Sequence, residues 1–224
     1  MRAREAREVC VRAHDVELEG VLTLPPRSSG VVLFAHGSGS SRHSPRNRYV
    51  AGVLEQAGLG TLLFDLLTRR EEAVDLATRH LRFDIPLLAR RVVGAIDWIK
   101  NEVPLAPIGL FGASTGAAAA LVAAARRPER VAAVVSRGGR PDLAGESLAH
   151  VRAPTLLVVG SLDTVVIGLN RDAMARMHAP VRLELVPGAS HLFEEPGTLE
   201  QVASLAASFF RAHLRALRAH PEAP

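Results

Sequence analysis

Short unbroken apolar runs alternate along this chain with stretches whose apolar residues recur at helical spacing, and that alternation sets the first expectation. Residues 31–35, 61–64, 108–111, 131–135, 155–159 and 181–186 read as strands, and the first is apolar at every position, as expected of a strand covered on both faces. Between them, Ser44 and Pro45 open a helix that Gly58 ends. Asp84 caps a second helix, with Ile85, Leu88, Val92, Ile96 and Ile99 along one side. A third runs over 115–127 and stops at Pro128, and others lie around 170–177 and 198–217, the last with Thr198 and Gln201 as a capping box. Near the start, Val16-Glu17-Leu18-Glu19 and Val21-Leu22-Thr23-Leu24 flank Gly20 and suggest an antiparallel hairpin or bent pair. Arg69, Arg70, Glu71 and Glu72 read as a charged, solvated loop.

Strands alternating with helices imply right-handed crossovers and a mostly parallel sheet with helices on both faces, which is an α/β class. No repeat, linker or low-complexity segment interrupts residues 1–224, so one domain is expected. Ligands of such sheets bind beyond the carboxyl ends of the strands, and the search for chemistry begins there.

Composition narrows the choice of partner. Hydrophobic residues make up 48% of the chain, enough for a substantial core. The formal charge of +4 comes from 27 basic residues, of which only Lys100 is lysine. They are spread without a basic cluster or interleaved aromatics, which argues against nucleic acid. Cys10 has no cysteine partner, and the first residues lack the apolar stretch of a secretory signal, so a cytoplasmic protein is expected. Residues 103–125 carry no charge and mimic a membrane span, but Pro104, Pro107 and three glycines make them a strand, a turn and an alanine-rich helix instead. No membrane association is expected, and the oligomer is left as monomer or homodimer.

Gly112-Ala113-Ser114-Thr115-Gly116 fits G-x-S-x-G between an apolar strand and a helix. A serine on that sharp turn presents its hydroxyl beyond the sheet edge, where it can act as a nucleophile. It needs a base, and the base needs a carboxylate to hold its tautomer. His191, after the strand 181–186, and Asp163, after the strand 155–159, both fall on the same edge as Ser114. Each has another reading: Asp163 as a helix cap, His191 as a loop histidine bonded to backbone. The oxyanion of the reaction would be met by the backbone N–H groups of Thr115 and of Ser38, with Gly37 next in line, in the loop His36-Gly37-Ser38-Gly39-Ser40-Ser41. His36 braces that loop. A metal site from His36, His43 and His191 lacks ligand spacing, so neither metal nor cofactor is expected.

The HGSGSS loop, the GASTG elbow, Asp163 in GSLD and His191 in GASH together resemble the α/β-hydrolase superfamily, and the small size resembles its dienelactone hydrolase-like branch. The resemblance spans residues 15–217 and implies an eight-stranded sheet and a cofactor-free acyl-enzyme mechanism. Dienelactone hydrolases carry cysteine in the elbow where this chain has Ser114, so their substrate does not transfer with the fold. The expected activity is a carboxylesterase-type cleavage of small esters or lactones. Acyl transfer to another acceptor would use the same residues, and a non-catalytic binding module is the third reading. Arg42, Arg46, Arg48, Arg137 and Arg140 fall near strand ends, but with arginine this frequent their placement alone says little about an anionic substrate. The interval between the strand 131–135 and Pro154 is too short for a lid domain, so an open site is expected.

Overall fold

The computed structural model describes residues 5–215. Its strands are β1 (Glu5–Ala13), β2 (Val16–Leu24), β3 (Val31–Ala35), β4 (Gly60–Phe64), β5 (Ile108–Ala113), β6 (Val131–Arg137), β7 (Thr155–Gly160) and β8 (Val181–Val186). The helices are α1 (Pro45–Gln56), α2 (Arg69–Thr78), α3 (Ile85–Glu102), α4 (Thr115–Arg126), α5 (Thr164–Ala175) and α6 (Thr198–Arg215), with 3-10 segments at Leu81–Phe83 and Pro141–His150. All eight strands form one sheet in the order β1-β2-β4-β3-β5-β6-β7-β8. β2 runs antiparallel to β1 and β4, and the remaining pairs are parallel.

The two-residue alternation of the central strands divides the core. Val31, Leu33 and Ala35 of β3 point to the side covered by α3 and α4, while Val32 and Phe34 point to the side covered by α1 and α6. Phe34 and Phe111 meet on the second side with ring centroids 4.9 Å apart. Helix α4 buries every residue from Thr115 to Ala124, and most are alanine. Such small side chains let the helix axis lie close to the sheet and to its neighbours. Gly116 carries this to its limit, because a Cβ there would collide with the carbonyl oxygens of Ala35 and His36. The end of β3 is thereby pressed against the start of α4.

The helix-starting signals hold in two cases and fail in one. Ser44 accepts the N–H of Asn47, and Asp84 accepts that of Leu87 at 2.9 Å. Thr198 is instead the first residue of α6; its hydroxyl donates to the carbonyl of Glu195, and Gln201 N–H goes to Gly197. The end of this helix as read from the sequence, at 217, lies outside the described residues.

Three other expectations are corrected. The opening hairpin is β1–β2, turned at His14 with φ 59, and β2 continues straight through Gly20. The helix placed around 170–177 begins at Thr164 and ends at Ala175. The charged stretch at 69–72 is helix α2, started by a capping box in which Thr68 and Glu71 exchange side-chain and backbone bonds. Glu71 also pairs with Arg91 at 2.6 Å, and Asp75, buried, pairs with Arg82 at 2.6 Å, fastening this short helix against the body. No separate cap domain is present among the described residues, and Pro141–His150 only completes the connection from β6 to β7.

Gly94 of α3 tests the packing of that helix on the hairpin. Alanine there would gain roughly 1 kcal/mol of helix propensity. Its Cβ, however, would stand 2.5 Å from the Cα of Ala13, which is backbone and cannot turn aside. Gly94→Ala is therefore expected to lose about 1–3 kcal/mol net in urea unfolding. Equal or higher stability would mean that α3 does not rest on β1.

Candidate active site

Ser114 follows β5 directly and precedes the first residue of α4. Its backbone takes φ 50 and ψ −121, outside the wells an L-residue prefers, at a cost of about 1–3 kcal/mol. The position is fixed from three sides. Ser114 N–H donates to Arg137 O at 3.3 Å, and Ser114 O accepts the N–H groups of Ala117 and Arg140, each at 3.1 Å. The strain is thus imposed by the pairing of β5 with β6 and by the turn into α4.

Asp163 stands after β7 and His191 in the loop after β8, and their side chains meet: His191 Nδ1 and Asp163 Oδ2 are 2.7 Å apart. Although Asp163 occupies the cap position of α5, its side chain makes no capping bond. The carboxylate is shielded, at 14% exposure, while the imidazole is 40% exposed. The loop carrying His191 is pinned by Glu195, which accepts the Ser190 N–H at 3.0 Å. That hydrogen bonding from Ser190 holds the Glu195 carboxyl below its usual range. Ser114 and His191 line one cleft of about 160 Å³, room for roughly five waters. No direct hydrogen bond joins their side chains.

The loop after β3 lies against the nucleophile. A Cβ added to Gly37 would lie 3.1 Å from the Cβ of Ser114. Ser38 Oγ is 2.9 Å from Thr115 Oγ1, so the two residues expected to supply oxyanion donors are neighbours. Thr115, first in its helix, has no intrahelical acceptor for its N–H, and Ser38 N–H donates to no described backbone group. His36 holds this loop. Its Nε2 accepts Leu66 N–H at 3.1 Å, which leaves Nδ1–H to donate to Gly37 O at 3.0 Å. Burial lowers its pKa below 6.5 and keeps the ring neutral. With both nitrogens occupied, His36 cannot join His43 and His191 around a metal. Among the described residues no group of three His, Cys, Asp or Glu is placed to hold one.

A second cleft opens on the far side of Ser38 and Thr115, with Leu66, Leu67, Leu76 and Leu88 among its walls. Sequence reasoning missed it because Leu76 belongs to α2, which was read as loop. It also missed Asn47, which lines the first cleft from α1, and the burial of Arg137. Of the strand-end arginines, Arg42 pairs with Asp65 and Glu19, Arg46 with Glu194 and Arg140 with Asp142, while Arg48 is exposed. Arg137 is 8% exposed, and burial, with Arg46 nearby, lowers its pKa to about 10. Among the described residues no helix is long and apolar enough to cross a membrane.

Comparison with known proteins agrees with this fold. A family model described as the alpha/beta hydrolase fold matches residues 30–177. The crystal structure of a dienelactone hydrolase from Anabaena variabilis superposes with a TM-score of 0.93 at 59% identity, covering 95% of this chain and 99% of that one. Est1E from Butyrivibrio proteoclasticus superposes with a TM-score of 0.77 at 15% identity, covering 92% and 98%, and shares the fold. A Mycobacterium tuberculosis protein named, provisionally, as a phosphoribosyl transferase is 58% identical over 209 residues, which are 92% of this chain and 46% of that protein. The chain spans about half the length of the curated relatives it matches.

The state of His36 has a measurable consequence. Its folded pKa is depressed, so below pH 6.5 the unfolded chain takes up a proton that the fold refuses. The stability it contributes is complete above 6.5 and is lost as pH falls toward the folded value. His36→Gln should be about 1–3 kcal/mol less stable at neutral pH, from its broken bonds. It should also lose less stability than the unsubstituted protein between about pH 7 and pH 5 in urea titrations. Parallel stability profiles for the two would show that His36 is not held neutral.

Proposed function

Because the chain belongs to the α/β-hydrolase fold family, on its dienelactone hydrolase-like branch, we propose that it is a serine hydrolase of carboxylesterase type acting on small esters or lactones. The observation that carries this reading is the strained Ser114 at the end of β5, in one cleft with a histidine already bonded to a carboxylate. Strain of this kind persists only where the surroundings over-determine it. No packing need accounts for a serine there.

Ser114 Oγ attacks the ester carbonyl carbon while His191 Nε2 takes the hydroxyl proton. Asp163 holds Nδ1–H and stabilises the imidazolium that forms. The carbonyl oxygen, now negative, receives the N–H groups of Ser38 and Thr115. Collapse breaks the bond to the alcohol oxygen, which leaves with the proton from His191, and water then releases the acid by the same steps. An acceptor other than water would give acyl transfer with the same residues. The phosphoribosyl transferase of the relatives' name is placed, in this reading, in the larger part of those proteins that the chain does not match.

Ser114→Ala is expected to abolish ester turnover with unchanged stability, and a fluorophosphonate should label the peptide containing Ser114 in the unsubstituted protein. Asp163→Asn should lower kcat by roughly 10³–10⁴-fold, because the amide favours the wrong imidazole tautomer. About half of full activity in either variant would remove that residue from its role.

Substrate size follows from the absence of a cap domain and from the small cleft at Ser114. Methylenes left in water forfeit about 0.8 kcal/mol each of binding. kcat/KM over an acyl series is therefore expected to peak at acetate to butyrate. A maximum at long chains, or a rate jump above the critical micelle concentration, would contradict an open site.

A further inference from the structure

Arg137 is the arginine at this sheet edge that the fold buries and leaves without a partner. The register of β5 with β6 sets it opposite Ala113, one residue before the nucleophile, and it lines the cleft that holds Ser114 and His191. Its Nε and Nη1 are buried with no hydrogen bond, and it forms no ion pair with a described residue. The acids of the loops after β7 and β8 are engaged elsewhere: Asp163 with His191, Glu194 with Arg46, Glu195 with the N–H of Ser190. The ring of Phe193, 5.9 Å below the guanidinium carbon, offers attraction but no acceptor. Arg46, lining the same cleft, adds charge of the same sign and has a buried Nε without a partner.

Arginine is common in this chain, so its presence at a loop would mean nothing. Burial is different, because an uncompensated buried charge is disfavoured unless something supplies the missing acceptors. We infer that Arg137 is a specificity residue whose partner is the substrate: an ester carrying, a few bonds from its scissile carbonyl, an anionic oxygen group, carboxylate or phosphate-type, that docks on this guanidinium. The assignment rests on the serine-hydrolase reading for the position of the reacting carbon. One charge is left unmatched in the cleft, since Arg46 has Glu194, and a single anionic group balances it. The donors of a guanidinium suit the paired oxygens of either group. Its place beside Ser114 means that the charged end and the scissile bond belong to one small molecule.

The test begins with the unsubstituted protein and three phenyl esters of matched length: one uncharged, one ending in carboxylate and one in phosphonate. At least one anionic ester is expected to exceed the uncharged ester in kcat/KM by about tenfold or more, with the advantage shrinking as salt rises. The better of the two identifies the group. In Arg137→Met the anionic-to-neutral ratio should collapse by about tenfold or more, and Arg137→Lys should keep part of it, since charge remains without the fork. The methionine variant should melt no lower than the original, because an unpaired buried charge has been replaced by apolar volume. Should it fail to fold, the lysine variant and competitive inhibition of the original by succinate or inorganic phosphate still decide the matter. Equal kcat/KM for all three esters, with no inhibition by either anion, overturns the role of Arg137 while the hydrolase reading stands. If no ester is cleaved and fluorophosphonate leaves Ser114 unlabelled, the hydrolase reading fails separately. Thermal shift by succinate or phosphate then decides the anion site: loss of the shift in Arg137→Met supports it, and equal or absent shifts overturn it.

Discussion

The turn from β5 into α4 is the constraint on which the rest of the site depends. A residue at φ 50 with a full side chain is unfavourable in isolation, and it survives because Arg137, Ala117 and Arg140 bond its backbone from different elements. The bonds with Arg137 and Arg140 exist only if β6 is paired with β5 in the observed register. The same turn brings Gly116 under the carbonyls of Ala35 and His36, so the loop after β3 cannot move without disturbing Ser114. Local strain at one residue is therefore held by neighbouring elements of the sheet, and the backbone that carries the hydroxyl is set before any ligand arrives.

Charge at the carboxyl edge is organised in layers around that turn. Outermost, Arg42 joins Asp65 to Glu19 and Arg69 joins the same Glu19, tying the loop after β3 to β2 and to the start of α2. Most of these groups are partly solvated, so each pair contributes little stability, about 1 kcal/mol or less, and their effect is to restrict loop positions. Further in, hydrogen bonds replace ion pairs. His36 spans Leu66 and Gly37, and Ser38 touches Thr115, so the expected oxyanion donors are held by a neutral ring and a hydroxyl rather than by charges that would compete for a developing negative oxygen.

What the sequence revealed follows from how far each feature depends on distant residues. The central strands were legible because burial on both faces leaves them almost wholly apolar, and Ser114, Asp163 and His191 were legible because each follows a strand at the same sheet edge. Strand β1 was missed although Val9, Val11 and Ala13 alternate as a half-buried strand should, since its polar positions dilute the pattern. Helix α2 lacks an apolar face of any strength; Thr68 and Glu71 spelled its beginning, but the Asp75–Arg82 pair that secures it joins residues whose proximity the sequence does not display. The burial of Arg137 was illegible for the same reason. It is enclosed by the neighbourhood of Arg46 from α1 and Phe193 from the His191 loop, which meet only in the finished fold.

Helix α4 has a consequence for how this architecture can diverge. Its buried alanines give up almost no rotamer freedom on folding, and each is fully or almost fully buried, so enlarging one forces its close-packed surroundings to shift. The helix supports the turn at Ser114, and such a displacement would be transmitted to that residue directly. Enlarging the alanines at 117–120 or 123–124 is consequently expected to be costly. Change is better accommodated elsewhere, in α2, in the segment 141–150 and at Leu192, which lie beside the elbow without holding its backbone.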